Sequence, residues 1–438
     1  MYNFIITMTK EGGIDEDLPW KCPAELKLFK ELTENATLIM SRKTATTLPK
    51  LCGRQIYCVT KKKHLDVSEY KNDVGVVTTI KEAIHFATQQ DRNVFIVGGA
   101  SLYEYALAHP TNINRLYISV MNEFVNASLD GWTIESQIVT DEFTHYVLMY
   151  TPNHPEFQFL TLIEQVSRAP VRVGRIGKTW SMFGRHLHFD LRDGFPLLTT
   201  KKMFLRGIEE ELLFFIRGET NTKELEEKRN NIWKGNTGRA FLDGLGMIDG
   251  VMGPMYGYQW RFFNADYDEL YEKCSSRGID QLQDVIDKIR NDPTSHRILL
   301  TDYNPAQSAQ GVLYPCHSIM IQFYVVDGCL DMTCYNRSSD LFLGLPFNIA
   351  SSSLFLMLIA NVCDLTPRNF TLSLGDAHIY EQHYDEVQEQ LSRRPFSLPT
   401  MTIHKDLKTI KDMEQLTPAD FVLENYQCHA TIKADMVA

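Results

Sequence analysis

One short segment constrains the fold of this chain more than any other, because it is the only plausible joint between two patterned regions. Residues 150–155 read Tyr-Thr-Pro-Asn-His-Pro, and the two prolines interrupt regular structure there. A chain of 438 residues is also too long for one ordinary hydrophobic core. The sequence therefore predicts two domains, at residues 1–152 and 156–438, with very little tether between them.

Composition and charge exclude several classes of protein. Apolar residues make up 44% of the chain and charged residues 23%, which is typical of a globular protein. The formal net charge of −11 argues against general binding to nucleic acids or membrane surfaces. The nine cysteines are scattered without a Cys-x-x-Cys pair, so they predict neither a disulfide framework nor a metal site. We therefore expect a cytoplasmic protein that needs no membrane and no nucleic acid for its activity.

The first region alternates short apolar runs with helical patterns, which is typical of an α/β fold with a mostly parallel central sheet. In such sheets, ligands bind at the carboxyl ends of the strands. A helix is predicted to begin at Pro23, with Leu26 and Phe29 on one face. The predicted strands are residues 4–7, 37–40, 55–59 and 94–97.

Three of these predicted strands end in segments that suit an anion. Gly98 and Gly99 would let the backbone approach a pyrophosphate at the start of a helix. Taken singly, a Gly pair is often a tight turn, and a run of Lys is usually solvated. Together the three segments favour NADPH over NADH, because Arg42, Lys43 and Lys61 would meet a 2′-phosphate.

The same region carries LPWKCPAEL at 18–26, RKT at 42–44, LCGR at 51–54, VGGASLY at 97–103 and RLYIS at 115–119. In this order the segments resemble the dihydrofolate reductases. The resemblance implies that Glu25 is a buried acid that pairs with the pterin and assists protonation of its N5 atom. Otherwise a carboxylate in a first helical turn usually only complements the helix dipole. Phe29 and Leu51 would contact the folate, and Arg54 its glutamate carboxylate.

The resemblance also implies a set of NADPH contacts, with three departures from the family pattern. Ser41 replaces a Gly, Ala45 replaces a common Trp, and residues 12–13 are Gly-Gly in place of Ile-Gly. Ser41 is expected to shift the phosphate-binding turn, because Gly allows backbone conformations that Ser does not. The implied NADPH contacts are Arg42, Lys43, Thr44, Thr60, Lys61, Gly98, Gly99, Ser101, Leu102 and Tyr103.

Cys316 lies between a proline and a histidine, at the point where an alternating apolar pattern predicts the start of a strand. A lone Cys is more often a buried structural residue. However, a thiol attacks as thiolate, and Arg337 would lower its pKa if the two segments pair as strands. Arg337 and Ser338 suit a phosphate, and the Asn348 amide fits the edge of a uracil ring. Together these residues predict a site for a pyrimidine nucleotide.

The second region carries DGFPLLTTKK at 193–202, EELL at 210–213, GPMYGYQWR at 253–261, YPCH at 314–317, NRSSD at 336–340, GLPFNIAS at 344–351, GDAHIY at 375–380 and IKADMVA at 432–438. These segments resemble the thymidylate synthases. The resemblance implies an α+β domain that methylates dUMP to dTMP with 5,10-methylenetetrahydrofolate and releases dihydrofolate. The two resemblances together imply one chain that carries both activities.

The resemblance assigns roles to individual residues of the second region. Cys316 would be the nucleophile, Glu211 would organise the proton relay to the pyrimidine, and Tyr256 would help to remove the C5 proton. A glutamate within an apolar helix would be costly unless it were paired, which agrees with a functional role for Glu211. The implied dUMP contacts are Arg172 or Arg175, His296, Arg297, His317, Asn336, Arg337, Ser338, Asp340, Asn348, His378 and Tyr380. The implied folate contacts are Lys201, Ile232, Trp233, Asp340 and Ala438.

Several positions depart from the synthase pattern. His296 replaces an Arg, Asn336 a Gln, and Phe204 a common His, while the loop at 171–178 is longer than usual. The longer loop leaves Arg172 and Arg175 as alternatives for one phosphate contact. The family places the residues equivalent to His296 and Arg297 in the partner subunit, so the resemblance implies a homodimer through the second domain.

Two alternatives remain open from the sequence. The first domain could be a folate-binding scaffold without catalysis, given Ser41 and the altered Gly turn. The second domain could be a hydroxymethylase of pyrimidine nucleotides, but the cytidine-type enzymes have Asp where this chain has Asn348. Since an amide can donate to a uracil carbonyl and a carboxylate cannot, Asn348 favours dUMP.

Overall fold

The computed structural model describes residues 1–8, 22–62, 70–121, 131–174, 177–268, 273–274, 278–313 and 318–437. The chain divides into two compact units. The first comprises Met1–His154 and Arg394–Ser397, and the second comprises Pro155–Arg393 and Leu398–Ala438.

The first unit is built on a mixed sheet whose order, within the described residues, is β4-β3-β2-β5-β1-β6-β8-β7. The six strands from β4 to β6 pair in parallel, and β8 and β7 continue the sheet antiparallel. The elements are β1 (Tyr2–Met8), α1 (Pro23–Leu32), β2 (Thr37–Ser41), α2 (Arg42–Thr47), β3 (Gln55–Val59), β4 (Val74–Val77), α3 (Ile80–Thr88), β5 (Val94–Ile96), α4 (Ala100–Leu107), β6 (Ile113–Val120), β7 (Trp132–Val139) and β8 (Thr144–Tyr150).

The predicted α/β fold with a mostly parallel sheet is confirmed. The predicted helix begins at Pro23, because Pro is well suited to the first helical position and the Cys22 thiol accepts a hydrogen bond from the Glu25 N–H. All four predicted strands are present, but β4 and α3 lie between the third and the fourth. β4 lacks a strong signal because it has only four residues, one of them Gly75, and forms the sheet edge.

A segment distant in sequence completes the first unit. The Ile134 N–H on β7 donates to the Pro395 carbonyl (2.7 Å), and the Ser397 N–H donates back to the Ile134 carbonyl (3.3 Å). Phe396 is 1% exposed and belongs to the buried cluster that contains Ile134. The residues at 394–397 therefore extend the sheet of the first unit beyond β7.

The second unit is α+β, with a sheet in the order β13-β14-β15-β16-β10-β9 and two small strand pairs among the described residues. Its helices are α5 (Pro155–Ser167), α6 (Leu205–Ile216), α7 (Lys223–Glu227), α8 (Lys234–Thr237), α9 (Arg239–Leu242), α10 (Gly257–Phe262), α11 (Gln281–Asn291), α12 (Gly344–Val362), α13 (Tyr384–Leu391) and α14 (Ile410–Glu414). Its strands are β9 (Val171–Gly174), β10 (Gly177–Asp190), β11 (Tyr267–Asp268), β12 (Lys273–Cys274), β13 (Leu299–Thr301), β14 (Ser318–Val326), β15 (Cys329–Asp340), β16 (Thr366–Tyr380), β17 (Thr400–Ile403) and β18 (Phe421–Glu424).

Helix α12 forms the centre of the second unit. Leu345, Ile349 and Leu356 are fully buried, and they belong to one large apolar cluster with residues of the sheet and of α6. By length and composition alone α12 would suit a membrane span, but 67% of its apolar window is buried inside the protein. This burial is typical of a core helix, which holds the sheet and α6 in fixed positions around it.

Candidate active sites

Glu25 lies in the first turn of α1, near the ends of β1 and β6, and is 6% exposed. The Thr7 hydroxyl donates to Glu25 Oε1 (2.8 Å), and the Ser119 side chain also hydrogen-bonds to the carboxyl. Burial raises the pKa of Glu25 above its ordinary value, while the bonds from Thr7 and Ser119 lower it. A buried carboxyl of this kind holds a proton more readily than a solvated one, which suits a general acid.

The residues of the predicted anion site lie at one edge of the first sheet. β3, β2 and β5 are parallel neighbours, so the segments that follow them meet at their carboxyl ends. These segments contain Thr60 and Lys61 after β3, and Gly98 and Gly99 after β5. Helix α4 follows Gly99, with Ser101 exposed and Leu102 and Tyr103 buried. Arg42, Lys43 and Thr44 form the first turn of α2, after β2.

Ser41 fits this edge without strain. Its backbone is extended, with φ of −73°, so this position does not require the conformational freedom of Gly. The Ser41 hydroxyl caps α2 by accepting from the Thr44 N–H (3.4 Å), and the Ser41 N–H donates to the Gly98 carbonyl (2.9 Å). Gly99 has φ of 67°, and a Cβ there would lie 2.7 Å from the Ser41 side chain. Ser41 thus packs directly against the Gly pair.

The three predicted folate residues of the first unit lie around α1 and the turn before β3. Phe29 packs against the buried cluster that contains Leu51. Arg54 donates to the Cys52 carbonyl (2.8 Å) and to the Lys30 carbonyl, so its guanidinium bridges that turn and the end of α1. Residues 12–13 and 18–21 lie outside the described residues, and so does their predicted contribution.

The predicted strand after Cys316 is confirmed, because β14 begins at Ser318. It pairs antiparallel with β15, with Ser318 opposite Asn336, so the strand that follows Cys316 in the sequence lies next to the strand that carries Arg337. β15 in turn pairs in parallel with β16, with Ser338 beside Asp376 and Asp340 beside His378. The predicted site residues Arg175, Cys316, His317 and Ala438 lie outside the described residues.

Asn336 links these strands to the residue predicted to recognise the base. It is fully buried, and its Oδ1 accepts from Ser318 Oγ (3.1 Å) and from Cys334 Sγ (3.4 Å). These two donors fix the orientation of the amide, so that its Nδ2 faces Asn348 Oδ1 at 3.5 Å. Asn336, although shorter than the Gln of the family, therefore still contacts Asn348, which lies in the second turn of α12.

Glu211, Trp233 and Tyr256 form one cluster. Trp233 Nε1 donates to Glu211 Oε1 (2.7 Å), and the Tyr256 ring lies 5.7 Å from the Trp233 ring. Burial raises the pKa of Glu211 to about 7, and the Trp233 bond opposes this. Tyr256 stacks on Phe215 at 4.9 Å and is held at φ of 43°, which is uncommon for a residue other than Gly. Ile232, beside Trp233, is half-buried against the main core.

Lys201 is a buried cation beside Asp340. Its Nζ donates to the Phe342 carbonyl and lies 3.8 Å from the centre of the Phe342 ring. Burial lowers the pKa of Lys201 to about 7, while the charges of Asp340 and Glu156 raise it. Asp340 Oδ1 accepts from the Phe342 N–H (2.9 Å) and the Leu343 N–H (3.3 Å), so it fixes the turn into α12.

Glu156 holds the segment that carries Lys201. Its two carboxyl oxygens accept four hydrogen bonds of 2.6–2.9 Å from the backbone N–H groups and hydroxyls of Thr199 and Thr200. Burial raises the pKa of Glu156, and these four donors lower it. Four donors on one buried carboxyl leave the 199–201 segment little freedom to move.

Asp376 organises the outer end of β16. It accepts from Arg172 Nη1 (3.1 Å) and from the Ser181 hydroxyl (2.8 Å), and His378 Nδ1 lies 3.5 Å away. The His378 and Tyr380 rings pack edge to face at 5.0 Å. Because Ser338 and Asp340 pair with this part of β16, the structure brings Arg172, His378 and Tyr380 close to the predicted phosphate residues.

Within one chain, His296 and Arg297 lie far from Arg337, the residue predicted to bind the same phosphate. They are exposed on the turn before β13, and the Phe323 N–H bonds to the residue after Arg297. Phe323 pairs with Met332, which lies five positions before Arg337 on β15. Arg297 lies one position further from Arg337 than Ile298 does, so six residues at about 3.3 Å each separate Arg297 and Arg337 along the strands by ~20 Å.

Four residues of these sites have no role in the sequence-based prediction. They are Thr7 and Ser119 around Glu25, Asp376 beside His378, and Glu156 behind Lys201. The acidic residues were detectable in principle, because Glu156 follows Pro155, and Pro is common at the first position of a helix, while Asp376 lies within the matching segment at 375–380. In the part of the chain that the structure describes, no group of His, Cys, Asp and Glu is arranged to hold a metal ion.

Comparison with known proteins assigns both units to families. The thymidylate synthase family model matches residues 157–438, and the dihydrofolate reductase family model matches residues 1–158. A bifunctional dihydrofolate reductase-thymidylate synthase of Arabidopsis thaliana is 36% identical over 99% of this chain and 96% of its own. A Paramecium tetraurelia protein of the same name is 35% identical over 99% of this chain and 98% of its own. The chain therefore belongs to the bifunctional dihydrofolate reductase–thymidylate synthase family, and it is an enzyme with both domains.

Proposed function

We propose that the second unit methylates dUMP with 5,10-methylenetetrahydrofolate, and that the first unit reduces the resulting dihydrofolate with NADPH. The observation that carries the proposal is the buried Glu25 carboxyl with its two hydroxyl donors, since a mere scaffold has no need of a buried acid. The enzyme would thus form dTMP and regenerate tetrahydrofolate on one chain.

The edge formed by β3, β2 and β5 fits NADPH. Gly99 precedes α4 and supplies no side-chain cap, so the first N–H groups of α4 suit a phosphate. Arg42 and Lys43 at the next strand end would hold the 2′-phosphate. When bound, NADPH supplies a hydride. Glu25 pairs with the pterin and assists protonation of its N5 atom, and Thr7 and Ser119 hold the Glu25 carboxyl in place.

In the second unit, the Cys316 thiolate forms a bond to C6 of the uracil ring, so that C5 becomes a nucleophile toward the folate methylene. Arg337 and Ser338 bind the phosphate, and His378 and Tyr380 hold the ribose hydroxyl. After the methylene has transferred, C5 loses a proton through water near Tyr256. The thiolate then leaves C6 as hydride from the folate completes the methyl group.

Glu211 and Asn348 act on the base itself. A pKa near 7 lets Glu211 exchange protons with a pyrimidine carbonyl, and Trp233 keeps its carboxyl in place. The Asn348 amide donates to the uracil O4 and accepts from its N3–H. The contact with Asn336 orients this amide, which supports dUMP rather than a cytidine nucleotide as substrate.

A coupled assay tests the proposed function. With dUMP, methylenetetrahydrofolate and NADPH, we expect one NADPH oxidised for each dTMP formed, and no NADPH oxidation when dUMP is omitted. Dihydrofolate that accumulates beside intact NADPH would instead show that the first unit is a scaffold. A hydroxymethylated nucleotide among the products would exclude the synthase assignment.

The second unit also presents a surface that suits a homodimer. Large apolar side chains are exposed on its sheet, and such surfaces mark contacts with other proteins. His296 and Arg297 are exposed and distant from Arg337 in one chain, so a second copy would have to supply them to the phosphate site. The exposed apolar residues are Val171, Val173, Phe183, Leu299, Met320, Tyr324 and Tyr335.

Hybrid dimers test whether Arg297 acts in the partner's site. Homodimers of Cys316→Ala and of Arg297→Ala should both be inactive as synthases. When they are mixed and exchange subunits, half of the dimers are hybrids with one intact site, so about a quarter of wild-type activity should return. Hybrids shown by native mass spectrometry that stay inactive would place Arg297 in its own chain's site.

We also propose that the enzyme works in the cytoplasm. Seven cysteines within the described residues are free, including the exposed Cys52. A chain with several unpaired thiols suits a reducing compartment.

A further inference from the structure

A buried histidine lies behind the Glu25 carboxyl. Ser119 on β6 pairs with His145 on β8, and Ser119 Oγ lies 2.9 Å from His145 Nδ1. The two residues are 2% and 1% exposed. Ser119 is paired across the strands with Thr7, whose hydroxyl donates to Glu25, and Ser119 is itself a hydrogen-bond partner of the Glu25 carboxyl. Glu25, Ser119 and His145 therefore form one series of polar side chains that begins at the acid and ends inside the protein.

The single hydroxyl proton of Ser119 fixes the directions of its hydrogen bonds to Glu25 and His145. A hydroxyl has one proton to donate, so a Ser119 that donates to the Glu25 carboxylate must accept from His145 Nδ1–H. In this tautomer His145 Nε2 carries no proton, and that atom has no hydrogen-bond partner among the described residues. The opposite tautomer would bury an unpaired N–H, which native structures rarely contain. Burial also keeps the ring neutral, since it lowers the pKa of His145 to about 4.

We propose that His145 is a positioning residue of the reductase site, which holds the Ser119 hydroxyl with its proton directed at the Glu25 carboxyl. The proposal rests on the proposed role of Glu25 as the acid. Successive hydrogen bonds polarise one another, so the bond from His145 strengthens the bond from Ser119 to Glu25. His145 thereby affects how firmly Glu25 holds its proton without contact with the substrate.

The other polar and charged groups near Glu25 and His145 do not provide a second link between these two residues. Next to Glu25, Cys22 bonds to Glu142 (3.1 Å), and the Tyr103 hydroxyl donates to the Ile5 carbonyl (3.3 Å). The Tyr117 ring stacks on His145 at 6.0 Å. Arg115 and Glu135 compensate each other in an ion pair of 2.5 Å. Within the described residues, Ser119 is the group that joins His145 to Glu25.

The test is the pH profile of dihydrofolate reduction. Protonated Glu25 is present below its pKa, so the rate is high there and falls as the pH rises through that value. His145→Phe keeps a buried ring but removes the donor, so the pKa of Glu25 should rise further. The alkaline fall in rate should then move up by about half a pH unit. His145→Asn keeps an N–H near the position of Nδ1 and should restore the wild-type profile.

A double-mutant cycle distinguishes positioning from a general loss of structure. Ser119→Ala should also move the alkaline fall to higher pH, and adding His145→Phe to it should cause no further shift. His109→Phe replaces an exposed histidine of the same unit and should leave the profile unchanged. The proposal would be overturned if His145→Phe left the pH profile unshifted. It would also be overturned if His145→Phe shifted the profile as much in Ser119→Ala as in the wild-type protein.

A measurement on the wild-type protein covers the case in which His145→Phe does not fold. ¹⁵N NMR of labelled histidines should show His145 protonated at Nδ1 and not at Nε2 at neutral pH. The opposite tautomer or a charged ring would overturn the proposal. If Glu25→Gln kept full reductase activity, by contrast, the proposed role of Glu25 itself would fail, whatever the state of His145.

Discussion

Replacement of Cys316 by alanine should lower the rate of dTMP formation by at least about 10⁴-fold, because it removes the thiolate that is proposed to bond to C6 of the uracil ring. Binding of dUMP should persist, since the proposed contacts Arg337, Ser338, His378, Tyr380 and Asn348 lie on β15, β16 and α12 and are unchanged in this variant. Turnover is measured as dTMP formed, and binding by calorimetry with dUMP. Mass spectrometry with 5-fluoro-dUMP and the folate should detect a covalent adduct on the wild-type protein only.

The two activities on one chain provide the control for this variant. Cys316→Ala should reduce dihydrofolate at the wild-type rate, which shows that the protein is folded. Cys52→Ala, at an exposed cysteine of the first unit, should retain both activities. Synthase turnover that survives in Cys316→Ala, or an adduct on another cysteine, would contradict the assignment of the nucleophile.

Replacement of Glu25 by glutamine should lower the rate of dihydrofolate reduction by about 10²–10⁴-fold, because an amide keeps the shape of the carboxyl but cannot deliver its proton. The synthase rate should not change. Reduction is followed as NADPH oxidation with dihydrofolate supplied directly. The matched control is Glu31→Gln, which changes an exposed carboxyl on the same helix and should have no effect on either rate.

The pH dependence gives a second readout for Glu25. Burial raises the pKa of this carboxyl, so the protonated form persists to higher pH than in a solvated glutamate. The wild-type rate should be high below this pKa and should fall about tenfold per pH unit above it. Glu25→Gln should lose this dependence together with most of the activity. A profile that is the same in both proteins would assign the proton to another group.

Much of the framework was predictable because its signals are local. Pro23 indicates a helix start, the apolar run at 37–40 indicates a strand, and the alternation after Cys316 indicates β14. That the segments after β2, β3 and β5 lie at one edge of the sheet also follows from the sequence, since parallel strands present their carboxyl ends on one side. The burial of Glu25 was expected from the family resemblance rather than from its position in the helix.

The partners of the site residues were not predictable, because they come from distant parts of the chain. Glu156 and Thr199 are 43 positions apart, and Ser119 and His145 are 26 apart. No pattern of hydrophobicity or spacing indicates such pairs, which depend on how strands and helices pack in space. The sequence likewise could not show whether Ser41 shifts the phosphate-binding turn. That depends on how Gly99 packs against the Ser41 side chain.

The segment at 394–397, which extends the first sheet beyond β7, has a consequence for gene architecture. A shorter chain that stopped at His154 would contain every predicted reductase residue, yet it would lose Phe396 from its interior and leave the backbone of Ile134 open at the sheet border. Unpaired strand edges of this kind attract other chains and promote aggregation. A gene fragment that encodes residues 1–154 alone should therefore yield a reductase of lower solubility than the full chain.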